Sequence, residues 1–202
     1  MGEMKIFDCQ GKRLFLNEDE IAFFLNTAES NFSNKISALA QTLVYTGCTI
    51  SEALNLTHKS VNITDSLLTI YHRKNRKGMS SRNLPVPLEY LEYLTATFKI
   101  STSKYKSKKK LWSWSRQYGH RVIKEIIKES EISNSYNFSP KSIRHAYGVN
   151  AIIKDVPLNI LQKWLGHADI GTTKVYFDIM TFEDQEQAQK MWPLDLNDDN
   201  LF

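Results

Sequence analysis

The residues best suited to chemistry lie in the last third of the chain. Lys141, Arg144 and His145 stand within five positions, His167 follows a Leu-Gly pair, and Tyr176 comes nine residues after that histidine. A tyrosine hydroxyl has a pKa near 10 and is a poor nucleophile at neutral pH unless cations lie beside it. Arginine binds phosphate through paired hydrogen bonds, and a lysine or histidine can protonate a departing oxygen. These residue types therefore suit the cleavage of a phosphodiester, with fixed cations in the role that a metal ion plays elsewhere.

The order and spacing of these residues resemble the active-site motifs of the tyrosine recombinases, the phage integrase family, over roughly residues 16–180. The resemblance implies that Tyr176 attacks DNA and forms a 3′-phosphotyrosyl link. It implies that Arg144 is the second catalytic arginine and that His167 contacts the scissile phosphate. Lys141 stands where the family usually has histidine and sometimes lysine, and His145 is a supporting neighbour of Arg144.

Two further positions match the family outside this segment. The family's general acid is a lysine in a β-hairpin, and Lys77 lies eight residues before Pro85, at the family's spacing. Lys74 is the alternative, because hairpin length varies. Glu52 matches an acidic residue that braces the site in the family. The resemblance thus supplies a nucleophile, a general acid and a brace.

The first motif departs from the family at Thr49, in the segment Thr46-Gly47-Cys48-Thr49-Ile50-Ser51-Glu52, where the family has its first catalytic arginine. A threonine hydroxyl donates one neutral hydrogen bond, whereas arginine would offer two charge-assisted ones. By analogy with the loss of one oxyanion donor, the deficit is on the order of 10²- to 10³-fold in rate. Other arginines are alternative sources of the missing cation: Arg73, Arg76 and Arg82.

Composition is that of an ordinary globular protein, with 42% hydrophobic and 24% charged residues among 202. The 26 Lys and Arg against 22 Asp and Glu leave a net charge of +4, and the basic residues cluster. We expect some of them to contact DNA phosphates without reading sequence. These candidates are Lys74, Arg76, Lys108, Lys109 and Lys110.

The cysteine count and the length of the apolar stretches indicate where the protein is located and whether it binds a metal. Cys9 and Cys48 are too few for a disulfide framework or a metal site, and no apolar stretch is long enough to span a bilayer. We therefore expect a cytoplasmic protein, associated with the nucleoid when it is bound to DNA, with no metal and no cofactor.

Hydrophobic periodicity and capping residues predict a mainly α fold with a small antiparallel β-sheet, an α+β domain like the tyrosine recombinase catalytic domain. Thr172 is predicted to cap a last long helix that carries Tyr176 near its start. The other predicted helices cover 18–28 after Asn17, 34–45 before Gly47, 51–56, 87–98, 116–130, a helix begun at Ser139-Pro140, and 158–165 before Gly166; the predicted strands are 61–63, 67–71 and 82–86.

We expect one catalytic-type domain over residues 1–202. Residues 1–15 form an amino-terminal extension, and residues 181–202 form a C-terminal helix and acidic tail that protomers could exchange. The separate amino-terminal domain with which family members clamp DNA is expected to be absent, either because the chain is a fragment or because it is a short member.

The expected function is site-specific recombination or integration of double-stranded DNA, by a homotetramer on DNA whose free form could be a monomer. One alternative is a cleavage-deficient DNA-binding protein, a regulator or a remnant of a mobile element, because Thr49 replaces the arginine. The other is a nicking enzyme that resembles type IB topoisomerases.

Overall fold

Helices form most of the structure. The computed structural model describes residues 5–74, 78–101, 107–132, 138–177 and 179, and for residues 72–74 and 78–79 it describes the backbone only. The helices are α1 (Glu18–Asn31), α2 (Asn34–Thr46), α3 (Ile50–Ala53), α4 (Leu88–Phe98), α5 (Arg116–Glu129), α6 (Pro140–Ile153), α7 (Leu158–Leu165) and α8 (Gly171–Lys174), with short 3-10 turns at His58–Ser60 and Val175–Phe177.

The strands β1 (Val61–Asn62), β2 (Leu67–Lys74) and β3 (Gly78–Pro85) form one antiparallel sheet in the order β1-β2-β3. The predicted fold class, mainly α with a small antiparallel sheet, is confirmed. In the part of the chain described here, no helix is long and apolar enough to cross a membrane.

The ends of the helices follow from local chemistry. Asn17 caps α1 in a capping box with Glu20, as the sequence predicts. The carboxylate of Glu20 also accepts hydrogen bonds from both terminal nitrogens of Arg13, and these bonds connect the segment before α1 to the helix. Gly47 ends α2 and Gly166 ends α7, both in the left-handed conformation that glycine adopts at little cost. These two glycines turn the chain at the places where α2 and α7 approach α6.

The core is built around α2, which packs against α1, α4 and α6. Leu39, Ala40 and Leu43 of α2 are fully buried. Trp112 is also buried, and its indole N–H donates to the carbonyl of Lys35 at 2.8 Å. Because α2 lies at the centre, its C-terminal end is held in a fixed position relative to α6.

Alternation along β3 places one charged side chain on the inner face of the sheet. Arg82, Leu84 and Val86 are buried, while the residues between them are exposed. The register pairs Arg82 with Ile70 of β2. A charge buried among apolar residues is costly unless it is paired, so Arg82 needs an anionic partner from a neighbouring element.

The predicted last long helix is not what the structure shows. Within the described residues 171–177, the α-helix covers Gly171–Lys174, with Ile170 and not Thr172 at its N-cap position, and a 3-10 turn follows at Val175–Phe177, so Tyr176 lies in a 3-10 turn and not in an α-helix. The reason is tertiary, because Thr173 and Tyr176 are both buried against neighbouring elements. The prediction for residues 181–202 lies outside the described residues.

Alanine at Gly47 tests the corner between α2 and α3. Gly47 has φ of 58°, and a Cβ there would lie 2.6 Å from Cδ1 of Tyr147. Gly11 is the matched control, because it has φ of 75° and nothing within 4 Å of such a Cβ. We expect Gly11→Ala to lower the free energy of unfolding by about 1 to 2 kcal/mol through the backbone alone. Gly47→Ala should cost about 1 to 3 kcal/mol more, because the core is overpacked. Urea denaturation of both variants measures this, and equal losses would contradict the close contact.

Candidate active site

Arg144 joins the elements that form the site. It projects from α6, and its two terminal nitrogens donate to the carbonyls of Gly47 and Leu165, each at 2.8 Å. Those carbonyls belong to the C-terminal ends of α2 and α7, where the helix dipole favours a positive charge. Burial lowers the pKa of Arg144, whereas Glu52 raises it. A guanidinium has five N–H donors, so these two bonds leave others for a ligand.

Glu52 links this arginine to the sheet. Its Oε1 lies 2.6 Å from Nη1 of Arg82, and its Oε2 lies 3.9 Å from Nη1 of Arg144. Arg82 also donates from Nε to the carbonyl of Trp164 at 2.7 Å. Burial raises the pKa of Glu52, but the hydrogen bond and charge of Arg82 outweigh this effect and hold the pKa below its usual value. Glu52 is therefore an anionic brace between two arginines.

Thr49 serves as the N-cap of α3. Its side chain accepts from the backbone N–H of Glu52, and both its own N–H and its hydroxyl donate to Oε2 of Glu52 at 2.9 Å. The short helix thus begins at Ile50, one residue earlier than the predicted Ser51. The hydroxyl of Thr49 is engaged in positioning Glu52 and is exposed at the surface.

Tyr176 is fully buried. Its ring lies against Gly148 of α6, where a Cβ would come within 2.4 Å of the ring. Its hydroxyl lies 3.3 Å from Nδ1 of His145. Burial raises the pKa of Tyr176 to about 12, and the charge of Arg144 opposes this rise. The phenol is thus protonated and enclosed, with a guanidinium in electrostatic range.

The two histidines of the site are neutral at physiological pH. Burial lowers the pKa of His145 to about 4, and the charges of Lys141 and Arg144 add to the effect. Burial and Arg144 likewise lower the pKa of His167 to about 4. Nδ1 of His167 lies 2.9 Å from the hydroxyl of Thr173, which fixes the ring. Nε2 of His145 has no hydrogen-bond partner among the described residues.

An open cleft of about 610 Å³ lies beside Arg144. The residues that line it include Lys141 and Arg144 of α6, Arg116 and His120 of α5, and Thr49. Arg82 does not line this cleft, because it braces Glu52 from the interior. Arg82 and His167 line a separate, smaller cavity of about 290 Å³.

The structure brings together Tyr176, Arg144, His145, His167 and Lys141 around α6. The other predicted site residues fall elsewhere or outside the description. Lys77 and Arg76 lie outside the described residues, and the side chains of Lys74 and Arg73 do as well. The general-acid lysine therefore stays a prediction.

The predicted phosphate contacts Lys108, Lys109 and Lys110 are exposed and line neither cavity. Lys110 forms an antiparallel bridge with Thr57, and its ammonium donates to Asn55 at 2.9 Å. This end of the basic run is thus fixed against the segment that follows α3.

Sequence reasoning missed two residues, Arg116 and His120, because their importance depends on how α5 packs. The available signal was Gly119, an isolated glycine inside a helix, which indicates a close approach of another element.

As for metals, the described residues contain no group of three or more His, Cys, Asp or Glu that could hold an ion.

Comparison with known proteins places this geometry in context. The model of the phage integrase family matches residues 14–181. A tyrosine recombinase of Thermosipho africanus is 26% identical over 180 residues, which cover 88% of this chain and 61% of the relative. Tyrosine recombinase XerA of Pyrococcus horikoshii is 26% identical over 190 residues, 87% of this chain and 60% of the relative. The chain therefore spans about 60% of the length of these relatives.

Solved structures agree on the fold. The XerA recombinase matches with a TM-score of 0.70 at 22% identity, covering 87% of this chain and 65% of that one. The XerH site-specific recombinase bound to its palindromic difH substrate matches with a TM-score of 0.69 at 22% identity, covering 90% of this chain and 55% of that one. The catalytic domain of bacteriophage HP1 integrase matches at 0.62 and 20% identity, covering 89% and 95%. By fold and by the match over residues 14–181, the chain belongs to the phage integrase family.

Proposed function

We propose that the chain cleaves and rejoins double-stranded DNA through a 3′-phosphotyrosine intermediate, in site-specific recombination or integration. The observation that carries this proposal is that Tyr176 and His167 both lie in electrostatic range of Arg144, which lines an open cleft together with Lys141 and Arg116. The relatives' description as tyrosine recombinases supports it. The proposal includes a homotetramer on two duplexes. It also includes a cytoplasmic location, with the protein on the nucleoid when it is bound to DNA.

The phosphate of one DNA strand would enter the cleft between α5 and α6. The free donors of Arg144 and the ammonium of Lys141 would bind its non-bridging oxygens, where negative charge grows in the transition state. His167, neutral and held by Thr173, lines the neighbouring cavity, so it would donate a further hydrogen bond from Nε2 to a phosphate oxygen that also reaches that cavity. Arg144 and His167 are held by hydrogen bonds before the substrate arrives, so little reorganisation of these two groups accompanies the reaction.

In the chemical step the oxygen of Tyr176 attacks phosphorus while the bond to the 5′ oxygen breaks. The phenolic proton passes to hydroxide in the solvent before the attack, because His145, with a pKa of about 4, is too weak a base to hold the proton of a phenol whose pKa is about 12. The departing 5′ oxygen takes a proton from a hairpin lysine, Lys77 or Lys74. The phosphotyrosyl ester retains the energy of the broken bond, so a 5′ hydroxyl of another strand can reverse the reaction without a nucleotide cofactor.

Attack requires a movement of the segment that carries Tyr176. The ring is fully buried in the structure, so its oxygen cannot reach a phosphate in the cleft. Residues 171–177 form short turns and not a long helix, which suits a segment that must shift. We therefore propose that DNA binding is coupled to release of the tyrosine.

Replacement of the nucleophile tests the reaction. Duplexes selected by binding from a random pool, and then nicked to trap cleavage, should yield a covalent protein-DNA adduct on a denaturing gel. Tyr176→Phe should abolish the adduct and retain DNA binding. Tyr93→Phe is the matched control, because its hydroxyl donates to the carbonyl of Asn34 away from the site. Adduct formation by Tyr176→Phe would contradict the assignment.

Thr49→Arg should accelerate adduct formation, because it adds a charged phosphate donor; the gain reaches the order of 10²- to 10³-fold only if no other cation already binds the phosphate in that role. The same change should lower the free energy of unfolding by about 1 kcal/mol, since the N-cap of α3 is lost. Thr49→Ala separates the two effects, as it loses the cap and gains no charge. A destabilised Thr49→Arg variant with no gain in single-turnover rate would show that position 49 does not face the phosphate.

The rate of adduct formation should rise with pH. Burial raises the pKa of Tyr176 to about 12, and the pKa of a tyrosine in water is near 10, so the phenolate is a minor species both before and after release and grows about tenfold per pH unit below these values. The pKa of both histidines lies at about 4, so neither changes charge at neutral pH. Single-turnover rates from about pH 6 to pH 9 should therefore rise without a break near 6.5, the ordinary pKa of histidine. A break there would contradict the neutral imidazoles.

A further inference from the structure

Side chains from two helices line the cleft beside Arg144, and each helix contributes at least one basic residue. Lys141 and Arg144 extend from α6, whereas Arg116 and His120 extend from α5. Arg116 and His120 are four residues apart and therefore lie on one face of α5. Thr49, the position that lacks the family's first arginine, lines the same cleft. A phosphate bound next to Arg144 would thus face α5 as well as α6.

Gly119 explains why α5 comes so close to position 49. A Cβ on Gly119 would lie 3.1 Å from Cγ2 of Ile50 and 3.2 Å from Cδ1 of Leu54. The backbone of α5 therefore rests directly on α3, the helix that Thr49 caps. Arg116 lies one turn before this contact, which places its side chain beside the N-terminal end of α3.

The local surroundings of Arg116 do not stabilise its charge. It occupies the first turn of α5, where the positive end of the helix dipole disfavours a cation. Among the described residues no carboxylate lies within ion-pair distance of it. Arg121 on the same helix differs, since it lies 3.8 Å from Glu125 and 5.2 Å from the ring of Tyr118. Arg116 is exposed and its charge is available to a ligand.

We propose that Arg116 is a catalytic residue that binds the scissile phosphate in place of the arginine absent at Thr49. The inference rests on the proposed function. Arg116 would approach a non-bridging oxygen from α5 while Arg144 approaches from α6, so the developing charge is again held between two guanidinium groups. The second cation would come from a neighbouring helix and not from the corner between α2 and α3.

A mutant cycle between the two positions tests this substitution. Single-turnover adduct formation is measured at saturating nicked duplex for the original protein, Arg116→Ala, Thr49→Arg and the double variant. We expect Arg116→Ala to lose on the order of 10²- to 10³-fold in rate. In the Thr49→Arg background the same change should cost less than about tenfold, because the restored arginine already serves the phosphate.

Two controls separate this role from general DNA binding and from folding. Arg121→Ala removes the same charge from the same helix outside the cleft, and its rate at saturating duplex should stay within about threefold, as expected of a surface residue. Arg116→Ala should keep the melting temperature, since the side chain is exposed. Arg116→Lys should recover part of the rate, because lysine keeps the charge but loses the bidentate geometry.

The outcomes distinguish the inference from the proposed function. An equal loss in both backgrounds, or a change in DNA affinity alone, would overturn the role of Arg116 and leave the reaction standing. Activity that appears only with Thr49→Arg would do the same, because Arg116 would then have failed to substitute. A lack of any Tyr176-dependent adduct in all variants would overturn the proposed function, and the role of Arg116 with it.

Discussion

The site depends on one guanidinium that bridges the ends of two helices. Arg144 donates to the carbonyls of Gly47 and Leu165, so it holds α2 and α7 at fixed positions relative to α6. Each of these helices ends in a left-handed glycine, which leaves its terminal carbonyl free to accept from a side chain. The arginine thereby has two duties, as a structural tie between helix ends and as a cation at the wall of the cleft.

Thr49 shows a trade between local stability and charge. Its side chain completes a capping box with Glu52, a bond pattern that arginine cannot form because it has no acceptor. Glu52 in turn engages Arg82, whose burial on the inner face of β3 demands an anion. Glu52 therefore has hydrogen-bond partners for both of its carboxylate oxygens. At the corner between α2 and α3, however, the site has one cation fewer than the family's pattern.

Much of this could be predicted from the sequence, and the exceptions have a common cause. The ends of α1, α2 and α7 follow from Asn17, Gly47 and Gly166, because caps and stops are local chemistry. The 3-10 turn at Val175–Phe177 could not be predicted, since burial of Tyr176 against α6 overrides local propensity. The position of Arg116 was missed for the same reason, as it depends on contact between helices that are distant in sequence.

The contact between Gly148 and the ring of Tyr176 determines how deeply that ring is buried. Gly148 presents bare backbone to the ring of Tyr176, and there is no room for even a methyl group between them. A side chain at this position would act as a wedge that pushes the aromatic ring toward solvent. The burial of Tyr176 can thus be adjusted at a residue of α6 that has no polar side chain of its own.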